Sequence, residues 1–141
     1  MKELEQVSEI IDYLQARKWN TYTPDELISA QGALSVLQAS IGRAAVDALY
    51  EYEIKEQNAK MAETDMYMEV KDGKEKVTEA EAKAIAKQDA NYETMEAIKA
   101  KKVYKDFMSV LDAMQAIIIA CQVTLKQQGK EYGNTGYQRN Q

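Results

Sequence analysis

The densest run of chemically useful side chains in this sequence is a lysine cluster, Lys99, Lys101, Lys102 and Lys105, with Tyr104 set among them and Lys83 and Lys87 a little upstream. Ammonium groups in such a row neutralise phosphates without reading base sequence, and an aromatic ring among them offers a face on which an unpaired base stacks. Lys55 and Lys60, earlier in the chain, complete the candidate nucleic-acid-binding set. The competing reading is a solvated helix face held by weak pairs such as Lys101 with Asp106.

Other chemistries are poorly supplied. The chain has no histidine, so it lacks the side chain most used for proton transfer near neutral pH and the commonest metal ligand. The acidic groups Glu51, Glu53 and Glu56, then Glu63, Asp65 and Glu69, alternate with Lys55 and Lys60 and lack the spacing of a calcium loop. The single cysteine, Cys121, falls on an apolar stripe and reads as a small buried hydrophobe. There is no glycine-rich phosphate loop, zinc spacing or nucleophile motif. The expectation is a non-enzymatic protein with no catalytic residues, no metal and no cofactor.

The overall balance is acidic, with a net charge of −5. It is uneven: Met1 to Thr94 holds 11 Lys+Arg against 19 Asp+Glu, whereas the remainder holds 7 against 4. That distribution argues against a simple polycation but leaves room for a basic strip. The longest continuous apolar run, Ala116 to Cys121, is far short of the roughly twenty residues that cross a bilayer. The N-terminus lacks the pattern of a signal peptide. A cytoplasmic protein with no membrane partner is expected from these features, and a lone thiol fits a reducing compartment.

The elements that must carry the lysines are helices. One proline, one phenylalanine and one tryptophan stand among abundant Ala, Lys, Glu, Gln and Met, a composition that favours helix almost throughout and supplies few large core residues. A first helix reads from 2 to 17. The next start is the clearest local signal: Thr23 as N-cap, Pro24 in the first turn, Glu26 closing a capping box, and Tyr22 with Leu27 as a hydrophobic staple. Helix then runs from 24 to 71, where Asp72-Gly73-Lys74 turns the chain. A capping box from Thr78 to Glu81 opens a short helix, 78–88, and Asp89 or Asn91 caps a last one, 91–128, ending before Gly129.

Two stripes at alternating three- and four-residue steps run along the long helices, one through Leu27, Ala30, Leu34, Leu37, Ile41, Ala44 and Ala48, the other through Val103, Phe107, Val110, Met114, Ile117 and Cys121. Such stripes predict a long antiparallel helical hairpin in a single all-α domain over 1–128, with a mobile tail over 129–141. Tyr104, Leu111, Ile118 and Leu125 form a further line on the last helix. The first helix is too short to cover it, so an oligomeric bundle or ring is expected, with Tyr104, Phe107, Leu111, Met114, Ile118 and Leu125 at the interface between copies.

From Ala45 to Lys126 the order of parts resembles the UvsY family of phage recombination mediators. The similarity lies in a long helix ending Thr64-Asp65-Met66-Tyr67, a polar turn, the segment Glu81 to Asp89, then Tyr104-Lys105-Asp106-Phe107 leading through Leu111-Asp112-Ala113-Met114 to Leu125-Lys126. The resemblance implies an all-helical ring that binds single-stranded DNA and helps load a RecA-like recombinase where a single-stranded DNA-binding protein is present, in a phage-infected bacterial host cell. Where that family places adjacent basic residues near the end of the long helix, this chain has Lys55 and Lys60 separated by Glu56. The alternative is a phage structural or adaptor protein that assembles through its helical stripes and touches no DNA.

Overall fold

The structure is a computed structural model that describes residues 1–73 and 77–139, with side chains as far as Lys130. It is all-helical: α1 (Lys2–Gln15), α2 (Pro24–Asp72), α3 (Glu79–Asp89) and α4 (Asn91–Arg139), with one 3-10 turn at Trp19–Thr21. Two units are distinguished by their internal contacts, one formed by Met1–Arg43 with Phe107–Gln141 and one by Ala44–Asp106.

The first unit holds the large apolar side chains. Val7 and Leu14 of α1, Leu27, Leu34 and Ile41 of α2, and Met114, Ile118 and Cys121 of α4 bury one another in a single cluster that also takes in Tyr22 and Ala30. Gln38 Nε2 donates to Gln115 Oε1 at 2.8 Å and Gln128 Nε2 to the carbonyl of Tyr22 at 2.8 Å. These partners run in opposite order along α2 and α4, so the two helices are antiparallel in this unit. Burial pushes the Cys121 thiol pKa up, because an apolar surrounding disfavours the thiolate.

The stripe assigned to contacts between copies is covered within this chain. Met114 and Ile118 are buried, and Phe107, Leu111 and Leu125 pack half-buried on the same cluster; Tyr104, in the other unit, is also half-buried. α1 does not cover the line alone. Trp19 and Tyr22 of the following turn extend it, Trp19 against the cluster and Tyr22 inside it. That second cover is absent from a reading that counts only helices.

The start of α2 forms as its residues dictate. Glu26 N–H donates to Thr23 Oγ1 at 3.2 Å and Thr23 N–H to Glu26 Oε1 at 3.0 Å, the two halves of a capping box. Tyr13 and Arg17 bring α1 onto the same carboxylate, at 2.6 Å and 2.9 Å. Arg17 also lies 4.1 Å from the centroid of the Tyr22 ring, and the Tyr22 hydroxyl donates to the carbonyl of Tyr13. Three donors on one carboxylate, the Tyr13 hydroxyl first among them, hold the Glu26 pKa at about 2.

Three boundaries differ from the sequence reading. α1 stops at Gln15, two residues early. No side chain caps α4: Ala90, 1% exposed, separates α3 from α4, its N–H bonded to Ala86 and its carbonyl accepting Thr94 N–H, so Asp89 ends one helix and Asn91 begins the next. α4 passes through Gly129 to Arg139, because a glycine costs only about 1 kcal/mol inside a helix that is otherwise well supported.

The second unit is built differently. It contains α2 from Ala44 onward, α3, and α4 as far as Asp106. Its buried apolar side chains, among the described residues, are Ala45, Ala82, Ala86, Ala90, Ala97 and Ala100. Thr78 Oγ1 accepts from Glu81 N–H at 3.1 Å and so starts α3.

Two outcomes follow for stability. Leu34→Ala, at a fully buried position, costs about 2–5 kcal/mol in chemical denaturation, whereas Val36→Ala, at an exposed one, changes it by no more than about 0.5 kcal/mol. Glu26 binds fewer protons folded than unfolded above its folded pKa of about 2. Its contribution is therefore complete above the ordinary carboxylate pKa and disappears as pH falls through about 2. An acid titration of Glu26→Gln followed by circular dichroism should show a shallower loss of stability below pH ~4.5 than the parent shows.

Candidate nucleic-acid interface

All eight candidate lysines lie in the second unit. They are not equivalent, because carboxylates already occupy half of them.

Lys55 on α2 stands 3.5 Å from Glu96 of α4 and 3.7 Å from Glu51. Lys60 pairs with Glu56 at 3.4 Å, Lys83 with Glu79 at 3.4 Å and Lys99 with Glu96 at 3.4 Å. Glu96 therefore serves two lysines at once, and Lys99 first, then Lys55, hold its pKa below the usual carboxylate range. The i,i+3 step from Glu96 to Lys99 is visible in the sequence. The reach of Lys55 across to α4 is not.

Among the described residues, no ion pair engages Lys87, Lys101, Lys102 or Lys105. The anticipated partnership of Lys101 with Asp106 does not form; the Lys101 ammonium lies 5.8 Å from the centroid of the Tyr52 ring on α2. Tyr52 in turn donates to Glu56, which raises the phenol pKa and lowers that of the carboxyl. Lys101 adds to the field that lowers Glu56. Lys101, Lys102 and Lys105 are all exposed, and at 100° per residue they fall within one side of α4.

Two open grooves adjoin these residues. One, of about 270 Å³, lies between α2 and α4 and is lined by Tyr52, Glu56, Lys60, Ile98 and Lys101 among others. The other, of about 430 Å³, lies between α2 and α3 and brings Lys60 and Lys83 to a wall shared with Glu63, Thr64 and Tyr67. Tyr104 is half-buried, and among the described residues no lysine ammonium lies over its ring. The aromatic ring over which a lysine ammonium lies is that of Tyr52, which spacing alone does not single out because it is separated from Lys101 by about a third of the chain.

The electrostatic setting is mixed. Between Ala44 and Asp106 there are 11 lysines and 15 acidic residues, so attraction for a polyanion has to be local to the side of α4 that carries Lys101, Lys102 and Lys105. Among the described residues there is no group of His, Cys, Asp and Glu able to hold a metal ion.

α4 also carries the longest apolar stretch when hydropathy is averaged over a window and not read as a continuous run. Averaged over 18 residues it reaches a mean hydropathy of 1.6, enough in length and composition to cross a bilayer, and only 17% of that window is buried. Asp112, Gln115 and Gln122 interrupt the run without lowering the mean far. Ile119 and Val123, 48% and 51% exposed, are among the large apolar side chains of α4 left outside, with Ile98, Val103 and Met108 earlier in the helix.

No protein-family model, curated protein or solved structure matches this chain.

The exposed ion pairs around Glu96 are weak individually. Glu96→Gln should leave the thermal midpoint nearly unchanged, while mobility in native electrophoresis shifts by the lost charge; a collapse of the fold would show that the Lys55–Glu96 pair holds α2 to α4.

Proposed function

We propose that this chain is a non-enzymatic mediator that binds single-stranded DNA along α4 and so assists a RecA-like recombinase on strands coated by a single-stranded DNA-binding protein. The observation that supports the reading is the difference among the lysines. Lys55, Lys60, Lys83 and Lys99 are occupied by carboxylates, whereas Lys101, Lys102 and Lys105 stand exposed on one side of a helix with the Tyr52 ring beside the first of them. Phosphates bind such a row by releasing counterions, with no need for a pocket. The first four lysines are secondary contacts in this reading, reached only when a phosphate displaces a glutamate. Lys87 is a further exposed contact on α3.

The mediator works as a long antiparallel hairpin in more than one copy. An acidic subunit holds a polyanion weakly, and repeated weak sites on one strand add to a useful affinity. The copies meet through apolar surface that the chain leaves exposed, since the line through Met114 and Ile118 is used internally.

A second reading is a phage structural or adaptor protein that assembles without DNA. The outward Ile119 and Val123 on α4 favour it, because an apolar helix side with polar surroundings is how such proteins meet their partners.

Titration of a labelled single-stranded oligonucleotide separates the two. Binding should fall steeply with salt, and Lys101→Ala, Lys102→Ala and Lys105→Ala combined should lower the magnitude of the logarithmic salt slope by about 2, at about 0.7 per lost phosphate contact. The circular dichroism spectrum should stay unchanged. Absence of binding at low salt would leave the adaptor reading.

A further inference from the structure

The second unit has an inverted burial pattern. Its buried apolar residues are alanines, yet Val46, Tyr50, Ile54, Met61 and Met68 are 66%, 66%, 39%, 54% and 56% exposed. All five lie on α2. Tyr50, Ile54, Met61 and Met68, with Gln57 and Thr64, also exposed, follow the alternating four- and three-residue steps of a heptad seam about 27 Å long at 1.5 Å per residue, with Asp47 at the next seam position and Val46 beside it on the flank. This line is separate from the one that α2 turns toward α3 and α4, where Tyr52, Ala59 and Met66 are half-buried.

We infer that this side of α2 is the surface on which a second copy of the chain packs, antiparallel, about a two-fold axis near residues 55 and 56. The occupant follows from the seam's own residues. In the antiparallel register, Met61 packs against Tyr50 of the second copy, and Ile54 against its Gln57. Asp47 meets Thr64. On one flank Glu53 faces Lys60 of the second copy, and on the other Glu51 faces Asn58, so the flanks carry attraction and no like-charge opposition. Two-fold symmetry makes every one of these contacts occur twice. A parallel pairing places the two Asp47 carboxylates opposite each other in a seam layer, a like-charge contact that the antiparallel register avoids.

Glu53 and Lys60 are exposed, and the Lys60 side chain, 69% accessible, is held only by its i,i+4 pair with Glu56. Both are therefore free to be exchanged without disturbing packing inside the unit. The pairing is independent of DNA and of the lysines on α4.

Sedimentation of the full chain without DNA, across the micromolar range, tests it. The parent should self-associate to a dimer. Glu53→Lys alone and Lys60→Glu alone should each weaken association about tenfold by setting like charges across the flank, and the double exchange should recover it. Circular dichroism should report the same helix content in all four proteins. A parent that stays monomeric overturns the proposal, as do single variants that associate normally. Failure of the double exchange to recover association also overturns it, and is the result a parallel pairing gives, because Lys60 then faces Asp65.

Discussion

The arrangement rests on where side-chain volume is available. Leu14, Leu27, Leu34, Ile41, Met114 and Cys121 are the largest fully buried side chains, and all of them belong to the unit formed by the two ends of the chain. Interdigitation of such groups supplies most of the stabilisation a small helical unit has, since the apolar area removed from water scales with their size. The unit from Ala44 to Asp106 has nothing comparable. Alanine lets helices approach closely but buries little per residue, so its stability leans on helix propensity, on short connections such as Ala90, and on weak ion pairs.

That division frees the second unit's outer surfaces for other uses. A helix that buries alanines fully and larger groups only in part keeps many of its long side chains outside. On α4 these are Lys101, Lys102 and Lys105; on α2 they are Tyr50, Ile54, Met61 and Met68. The two groups sit on different helices, and a protein that binds a charged polymer while pairing with itself needs such a separation.

Local grammar was well preserved in the sequence. The capping box at Thr23 and Glu26, the Tyr22 and Leu27 staple, and the start of α3 at Thr78 appear where their residue types require. So does the stripe from Leu27 to Ile41, although beyond it the buried position is Ala45 and not the anticipated Ala44 or Ala48. A straight helix turns 3.6 residues at a time, so a stripe drawn at 3.5 drifts around it. What was not legible depends on distance in three dimensions. The apolar cluster that holds Ile118 and Leu125 is completed partly by Trp19 and Tyr22, which belong to no long helix. The partnership of Lys55 with Glu96 and of Lys101 with Tyr52 spans more than 40 residues of sequence, with no periodicity to reveal it.

For the candidate interface, the count of lysines matters less than their neighbours. A phosphate that approaches Lys55 or Lys99 has to compete with Glu96, which is already within hydrogen-bonding reach of both. The gain is then a difference between two charge-assisted contacts, and it is small. At Lys102 or Lys105 no such exchange is required, and the favourable term is the release of counterions. Carboxylates elsewhere in the unit act through solvent, where screening at physiological salt weakens them beyond about 8 Å. An acidic protein is thus able to present a basic strip, provided that the strip's own side of the helix is free of glutamate. Asp106, adjacent to Lys105 in sequence, is the acidic residue that tests that condition: it lies about 100° round α4 from Lys105 but only four residues, or about 40°, from Lys102, and among the described residues it pairs with none of the cluster's lysines.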